Sequence, residues 1–122
     1  MKFLDASTPL PDGTLAIGNT EDVLTHAEVA RAARVALDFP KWTDGRAYSQ
    51  ATLLRGRLQF TGEIVATGDV LVDMLPLLAR CGFSAVQLRA DQNVDSARRA
   101  LGFFGRHYQA VLPERRAPEA AA

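Results

Sequence analysis

Four times along this chain a short apolar run of strand type is followed by a segment whose apolar residues recur at helical spacing, and the pair returns roughly every 25 residues. Parallel strands need a long crossover between them and a helix supplies it, so this alternation points to an α/β domain built on a parallel sheet. The first unit is Leu15-Ala16-Ile17, then a helix from Glu21 to Arg31 with Val23, Leu24, Ala27 and Ala30 on its apolar face and Asn19 or Thr20 as N-cap. The second is Arg34 to Asp38, a polar loop, and a helix from Gln50 to Leu58 with Ala51, Leu54 and Leu58 inward and Ser49 as N-cap. The third is Glu63 to Thr67, a turn at Gly68, and a helix from Val70 to Arg80 capped by Asp69. Pro76 inside that helix removes one backbone hydrogen bond and predicts a bend. Gly82 stands where the helix must stop, in the left-handed position that glycine fills best. The fourth unit is Ala85 to Leu88 and a helix from Val94 to Phe104, with Ala97, Leu101 and Phe104 inward.

These four strand-helix units make either a small open parallel sheet covered on both faces or half of a (β/α) barrel. A half-barrel leaves an unpaired strand edge and an exposed apolar interior, so that version predicts a homodimer. Residues 1–13, broken by Pro9, Pro11 and Gly13, read as an irregular lead-in with room for a short strand at Lys2 to Leu4. Residues 14–112 read as a single α/β domain. Residues 113–122 carry two prolines and no apolar periodicity, which predicts a flexible tail.

Charge narrows the partners. Lysine and arginine together number 14 and aspartate and glutamate 14, so no long-range field gathers a phosphate backbone or an anionic membrane, and nucleic acid and membranes are not expected partners. A single cysteine, Cys81, and an amino terminus without a secretory pattern place the protein in the reducing cytoplasm.

In parallel α/β folds ligands bind beyond the carboxyl ends of the strands. That rule selects Asn19, Asp38, Thr67, Gly68, Asp69 and Arg89, with the loop Phe39 to Ser49 rising over the same edge. Glu63 begins its strand and belongs at the opposite edge, where it serves stability. The loop brings Trp42, Asp44, Arg46, Tyr48 and Ser49 together with Lys41. Arg46 offers a fork of donors and the helix opening at Ser49 offers backbone amides, an arrangement suited to sulfite, sulfate, phosphate or a carboxylate. A plainer reading pairs Asp44 with Arg46, lays Trp42 and Tyr48 over the sheet end, and leaves Ser49 as a cap only.

Asp38, Asp44 and Asp69 could together hold Mg²⁺, but the spacing does not require it and Asp69 is better explained as a cap; no metal site is expected. His26 and His107 have no partners in ligand or triad spacing. Gly102-Phe103-Phe104-Gly105 follows no strand, so it is not a dinucleotide loop, and no cysteine set holds an iron–sulfur cluster. No cofactor motif is evident; a flavin held by backbone and aromatic contacts would leave no signature.

The run Leu37-Asp-Phe-Pro-Lys-Trp-Thr-Asp-Gly-Arg-Ala-Tyr-Ser-Gln-Ala-Thr-Leu-Leu-Arg55, then Gly62-Glu-Ile-Val-Ala-Thr-Gly-Asp-Val-Leu71 and Arg80-Cys-Gly-Phe83, resembles a bacterial domain-of-unknown-function family encoded beside assimilatory sulfite reductase and labelled an oxidoreductase of sulfite reduction. The resemblance covers residues 14 to 110. It matches at Asp38, Asp44, Gly45, Arg46, Tyr48, Ser49, Arg55, Gly68 and Asp69. Where the family carries an arginine this chain has Val65, and where it carries Arg-Asp-Gln this chain has Val72-Asp73-Met74, so no charged contact carries over to Val65, Val72 or Met74. The resemblance implies a place in sulfite reduction, and together with the lack of a cofactor motif it leads to the expectation of an accessory protein that acts with sulfite reductase or its electron donor. The alternative is a small anion-binding enzyme or oxidoreductase using Arg46 and the helix N-terminus at Ser49.

Overall fold

The computed structural model describes residues 1–99. Strands β1 (Lys2–Leu4), β2 (Thr14–Ile17), β3 (Arg34–Phe39), β4 (Glu63–Gly68) and β5 (Ala85–Gln87) form one five-stranded sheet in the order β1-β5-β4-β3-β2. Every pairing in it is parallel. The fold is therefore α/β with an all-parallel sheet, as the alternation predicts. The fifth strand comes from the lead-in, which places Lys2–Leu4 beside β5 at the edge opposite β2.

From β2 to β5 each strand is laid beside the one before it. Successive right-handed crossovers in one direction put all connections on one face. The packing agrees: Val35, Leu37, Phe39, Ile64, Ala66 and Val86 share one buried cluster with Ala51 and Leu54 of α1 (Arg46–Gly56) and Leu75 and Leu78 of α2 (Leu75–Cys81). Ala36, Val65 and Ala85, which alternate with them and face the other way, are buried too. The lead-in runs along that face. Since β1 and β2 lie at opposite edges, residues 5–13 must cross the sheet, and side chains of that second face hold both ends of the crossing. Gln87 Nε2 donates to the carbonyls of Asp5 (2.9 Å) and Thr8 (3.0 Å), and Arg34 Nη1 reaches the Asp12 carbonyl at 3.5 Å.

Three elements differ from expectation. The helix expected from Glu21 to Arg31 is two 3₁₀ turns, Val23–Thr25 and Ala27–Arg31. Asp22, not Asn19 or Thr20, caps the first by accepting the Leu24 amide, and Thr25 Oγ1 donates to the Asp22 carbonyl, satisfying locally what a continuing helix would need. Only Val23 and Val29 of this stretch are buried and Leu24 is exposed, so an α-helical stripe has no core to face. The third helix starts at Leu75, after a 3₁₀ turn at Val72–Met74, so Pro76 falls in its first turn, where the missing N–H removes no bond and no bend follows. Gly82 takes the predicted left-handed position, with φ of 109°. The last helix is described over residues 94–99, with Ala97 inward; Leu101, Phe104, the Gly102 to Gly105 stretch, His107 and residues 113–122 lie outside the described residues.

At the amino edge of the sheet Glu63 pairs with Arg34 (2.8 Å) and Lys2 (3.5 Å), joining three strands. Arg55 extends from α1 to the same end, donating to the carbonyls of Gly82 (2.9 Å), Phe60 (2.8 Å) and Gly62 (2.7 Å). Both residues bind the scaffold. Among the described residues no helix is long and apolar enough to cross a membrane.

Candidate functional site

The loop after β3 is tied directly to the carboxyl ends of β2 and β4, and through Asp69 to the end of β5. On one side, Asp69 at the end of β4 accepts the Trp42 amide on Oδ2 (2.8 Å) and Arg89 Nη1 on Oδ1 (2.6 Å). Arg89, just beyond β5, turns its remaining fork to Asp91 in a bidentate pair at 2.7 and 2.9 Å. On the other side, Asn19 after β2 donates to Asp44 Oδ2 at 2.7 Å, while Asp44 Oδ1 accepts the Arg46 amide at 3.1 Å.

The electrostatics follow from these contacts. The Arg89 guanidinium, and then the Trp42 amide, hold the Asp69 carboxyl below its ordinary value. Arg89 likewise brings Asp91 down to about 2, and the two carboxylates raise Arg89 in turn. This network is solvent-accessible, so its value lies in placing the loop more than in stability.

Gly68 makes the geometry possible. Its φ is 93°, and a Cβ there would come within 2.5 Å of the Phe39 carbonyl oxygen and 2.6 Å of Asp38 Oδ1. The left-handed turn lets the Asp69 amide donate back to that Phe39 carbonyl at 2.8 Å, and so aims the Asp69 side chain at the loop.

Two expectations at this site need correction. Ser49 is not an N-cap: α1 begins a full turn earlier, at Arg46, and Ser49 lies exposed inside it. Asp44 already supplies the acceptor at the helix start, and the earlier turn buries Ala47, which is 1% exposed. The helix N-terminus is therefore at Gly45 and Arg46, with a carboxylate beside it, which opposes binding of an anion there. Asp69 does not cap the third helix either. Its carboxylate is drawn across the sheet end to Trp42 and Arg89, and the chain continues through Val70 to Leu71 before turning.

The remaining predicted residues divide between rim and interior. Asp38 reaches the rim half-buried, on the face crossed by residues 5–13, and among the described residues no donor or cation pairs with it. Arg46 is well exposed and meets Asp44 only at 3.8 Å. Trp42 is 54% exposed. Tyr48 belongs to the interior instead, edge-on to Phe39 (ring centroids 5.1 Å apart) and to Phe83 (6.5 Å). Burial first, and neighbouring Cys81 second, push its phenol above the ordinary value. Cys81 itself is half-buried at the end of α2.

Sequence reasoning missed Asp91 and Gln50. Asp91 could have been found as an acid two residues after a strand-end arginine. Gln50 is 5% exposed, with Nε2 donating to the carbonyls of Gly18 (2.9 Å) and Glu21 (3.0 Å), and gave no local signal. Among the described residues no group of three or more His, Cys, Asp or Glu is disposed to hold a metal ion.

No curated protein and no solved structure matches the chain. A family model described as "Bacterial protein of unknown function (DUF934)" matches residues 14–118, most of the chain, and the protein belongs to that family.

Proposed function

We propose that this protein is an accessory to assimilatory sulfite reduction in the cytoplasm, docking onto sulfite reductase through the loop that presents Trp42. The pathway is suggested by the resemblance of residues 37–55, 62–71 and 80–83 to a family encoded beside that reductase. The observation that carries the docking role is a 54% exposed tryptophan on a loop pinned from both sides. Tryptophan and arginine dominate the energetics of protein interfaces, and an anchor held in place before binding loses little entropy on association. Trp42 is flanked by the exposed Lys41 and Arg46, which suits an acidic rim on the partner. Arg89 is engaged by two carboxylates and supports the loop.

The test is co-elution of the purified protein with purified sulfite reductase on size exclusion. Trp42→Ala is expected to weaken association by about 30-fold or more, the effect of losing a hot-spot residue. Absence of any association, or equal binding by the variant, refutes the docking reading. Normal sulfite reduction in a deletion strain refutes the pathway assignment.

A further inference from the structure

A second feature of the carboxyl edge lies away from the Trp42 loop, where β1 and β5 end and the last helix begins. A cavity of about 570 Å³ opens there between Phe3 and Leu4 of β1, Leu88 after β5, and Val94 and Arg98 of the helix. Its size falls within the range of small-molecule sites, and its position obeys the rule for parallel sheets.

Among the described residues two guanidinium groups line it, in different states. Arg89 spends its fork on Asp91 and a further nitrogen on Asp69. Arg98 stacks over the Phe3 ring with its central carbon 5.1 Å from the centroid. Stacking uses the face of a guanidinium and leaves its N–H edge free. Among the described residues no carboxylate or carbonyl takes that edge. The wall also carries Asp5, whose Oδ1 accepts the Ser7 amide and hydroxyl at 3.0 Å each. A fixed negative charge at the rim disfavours a dianion. Among the described residues this leaves the Arg98 donor edge above the apolar side chains of Phe3, Leu88 and Val94.

We propose that this cavity binds a small organic acid, its single carboxylate paired with Arg98 and its apolar or planar body lying against Phe3, Leu88 and Val94. A planar fork matches a carboxylate in two parallel hydrogen bonds, and the apolar walls supply the rest of the contact. The site shares Arg89 with the network that holds the docking loop, and the variants used below leave that residue unchanged.

Benzoate is the probe, with benzamide as its uncharged counterpart and inorganic phosphate as the dianion control. At about 10 mM, benzoate is expected to raise the melting temperature by a few degrees, while benzamide and phosphate leave it unchanged. Arg98→Gln should weaken benzoate binding at least about tenfold, read as chemical-shift titration of the backbone amides of residues 3–7 and 88–94. Val94→Trp, which keeps the arginine and fills the cavity, should abolish the same shifts and decides the matter if Arg98→Gln does not fold. No response to benzoate, an equal response to benzamide, or binding retained in either folded variant overturns the proposal.

Discussion

Replacing Gly68 by alanine tests both the end of the sheet and the placement of the loop. Holding an L-residue in the left-handed region costs roughly 1–2 kcal/mol. The new Cβ would also sit 2.5 Å from the Phe39 carbonyl oxygen, a backbone atom of the adjacent strand that can move only with β3. Relieving such an overlap in a packed interior costs a further ~1–3 kcal/mol. The expected loss is about 3 kcal/mol, which lowers the melting temperature by roughly 10–15 °C for a chain of this size. Gly56→Ala is the matched control: Gly56 ends α1, a Cβ there meets nothing within 4 Å, and the substitution should stabilise by ~0.4–1 kcal/mol. Urea denaturation of the two variants and the parent protein, followed by far-ultraviolet circular dichroism, measures both. A Gly68→Ala protein within about 0.5 kcal/mol of the parent would refute the close approach to Phe39, because surface-like tolerance is incompatible with it.

Trp42 is the sole tryptophan, so its fluorescence reports the loop directly. Asp69→Ala removes the acceptor of its amide and should lower its anisotropy while leaving the secondary structure intact; unchanged anisotropy would mean that the Asp69 contact does not hold the loop. Acid should act the same way. The Asp69 and Asp91 carboxyls are both depressed in the folded protein, so their contribution is complete above the ordinary aspartate value and fades as pH falls through the folded values, toward about 2 for Asp91. Anisotropy that is flat from about pH 5 to 2 would contradict this. Gln50→Ala removes the side-chain donor shared by the part-buried Gly18 and Glu21 carbonyls and leaves a void at a buried position, and should cost about 2 kcal/mol in urea denaturation. A cost below ~0.5 kcal/mol would show that water replaces the amide freely.

Much of the fold was legible because its signals are local. Apolar runs such as Arg34 to Phe39, and glycine at the end of α2, depend on neighbours a few residues away, and they specify strands and a helix stop wherever the chain goes. The candidate site was legible as a neighbourhood: strand ends and the loop share the carboxyl edge, so Asp38, Asp44, Asp69 and Arg89 gather there. The errors share one cause. Ser49 and Asp69 both have the chemistry of a cap, and local reading assigns each to the helix that follows it. Asp44 occupied the helix start that Ser49 was expected to serve, and Trp42 and Arg89 offered Asp69 partners 27 and 20 residues away. Tyr48 was placed on the rim from its position in the loop, yet the earlier start of α1 turned it toward Phe39 and Phe83.

The sequence by itself determined that short apolar strands alternate with helical segments, hence a parallel sheet whose carboxyl ends collect the polar residues. Only the tertiary structure decided that the first strand joins the far edge, that residues 5–13 cross the face opposite the helices, and which carboxylate meets which amide. Strand periodicity and turn chemistry are written within a few residues, whereas strand order and long-range hydrogen bonds depend on which surfaces remain to be covered once the whole chain has packed.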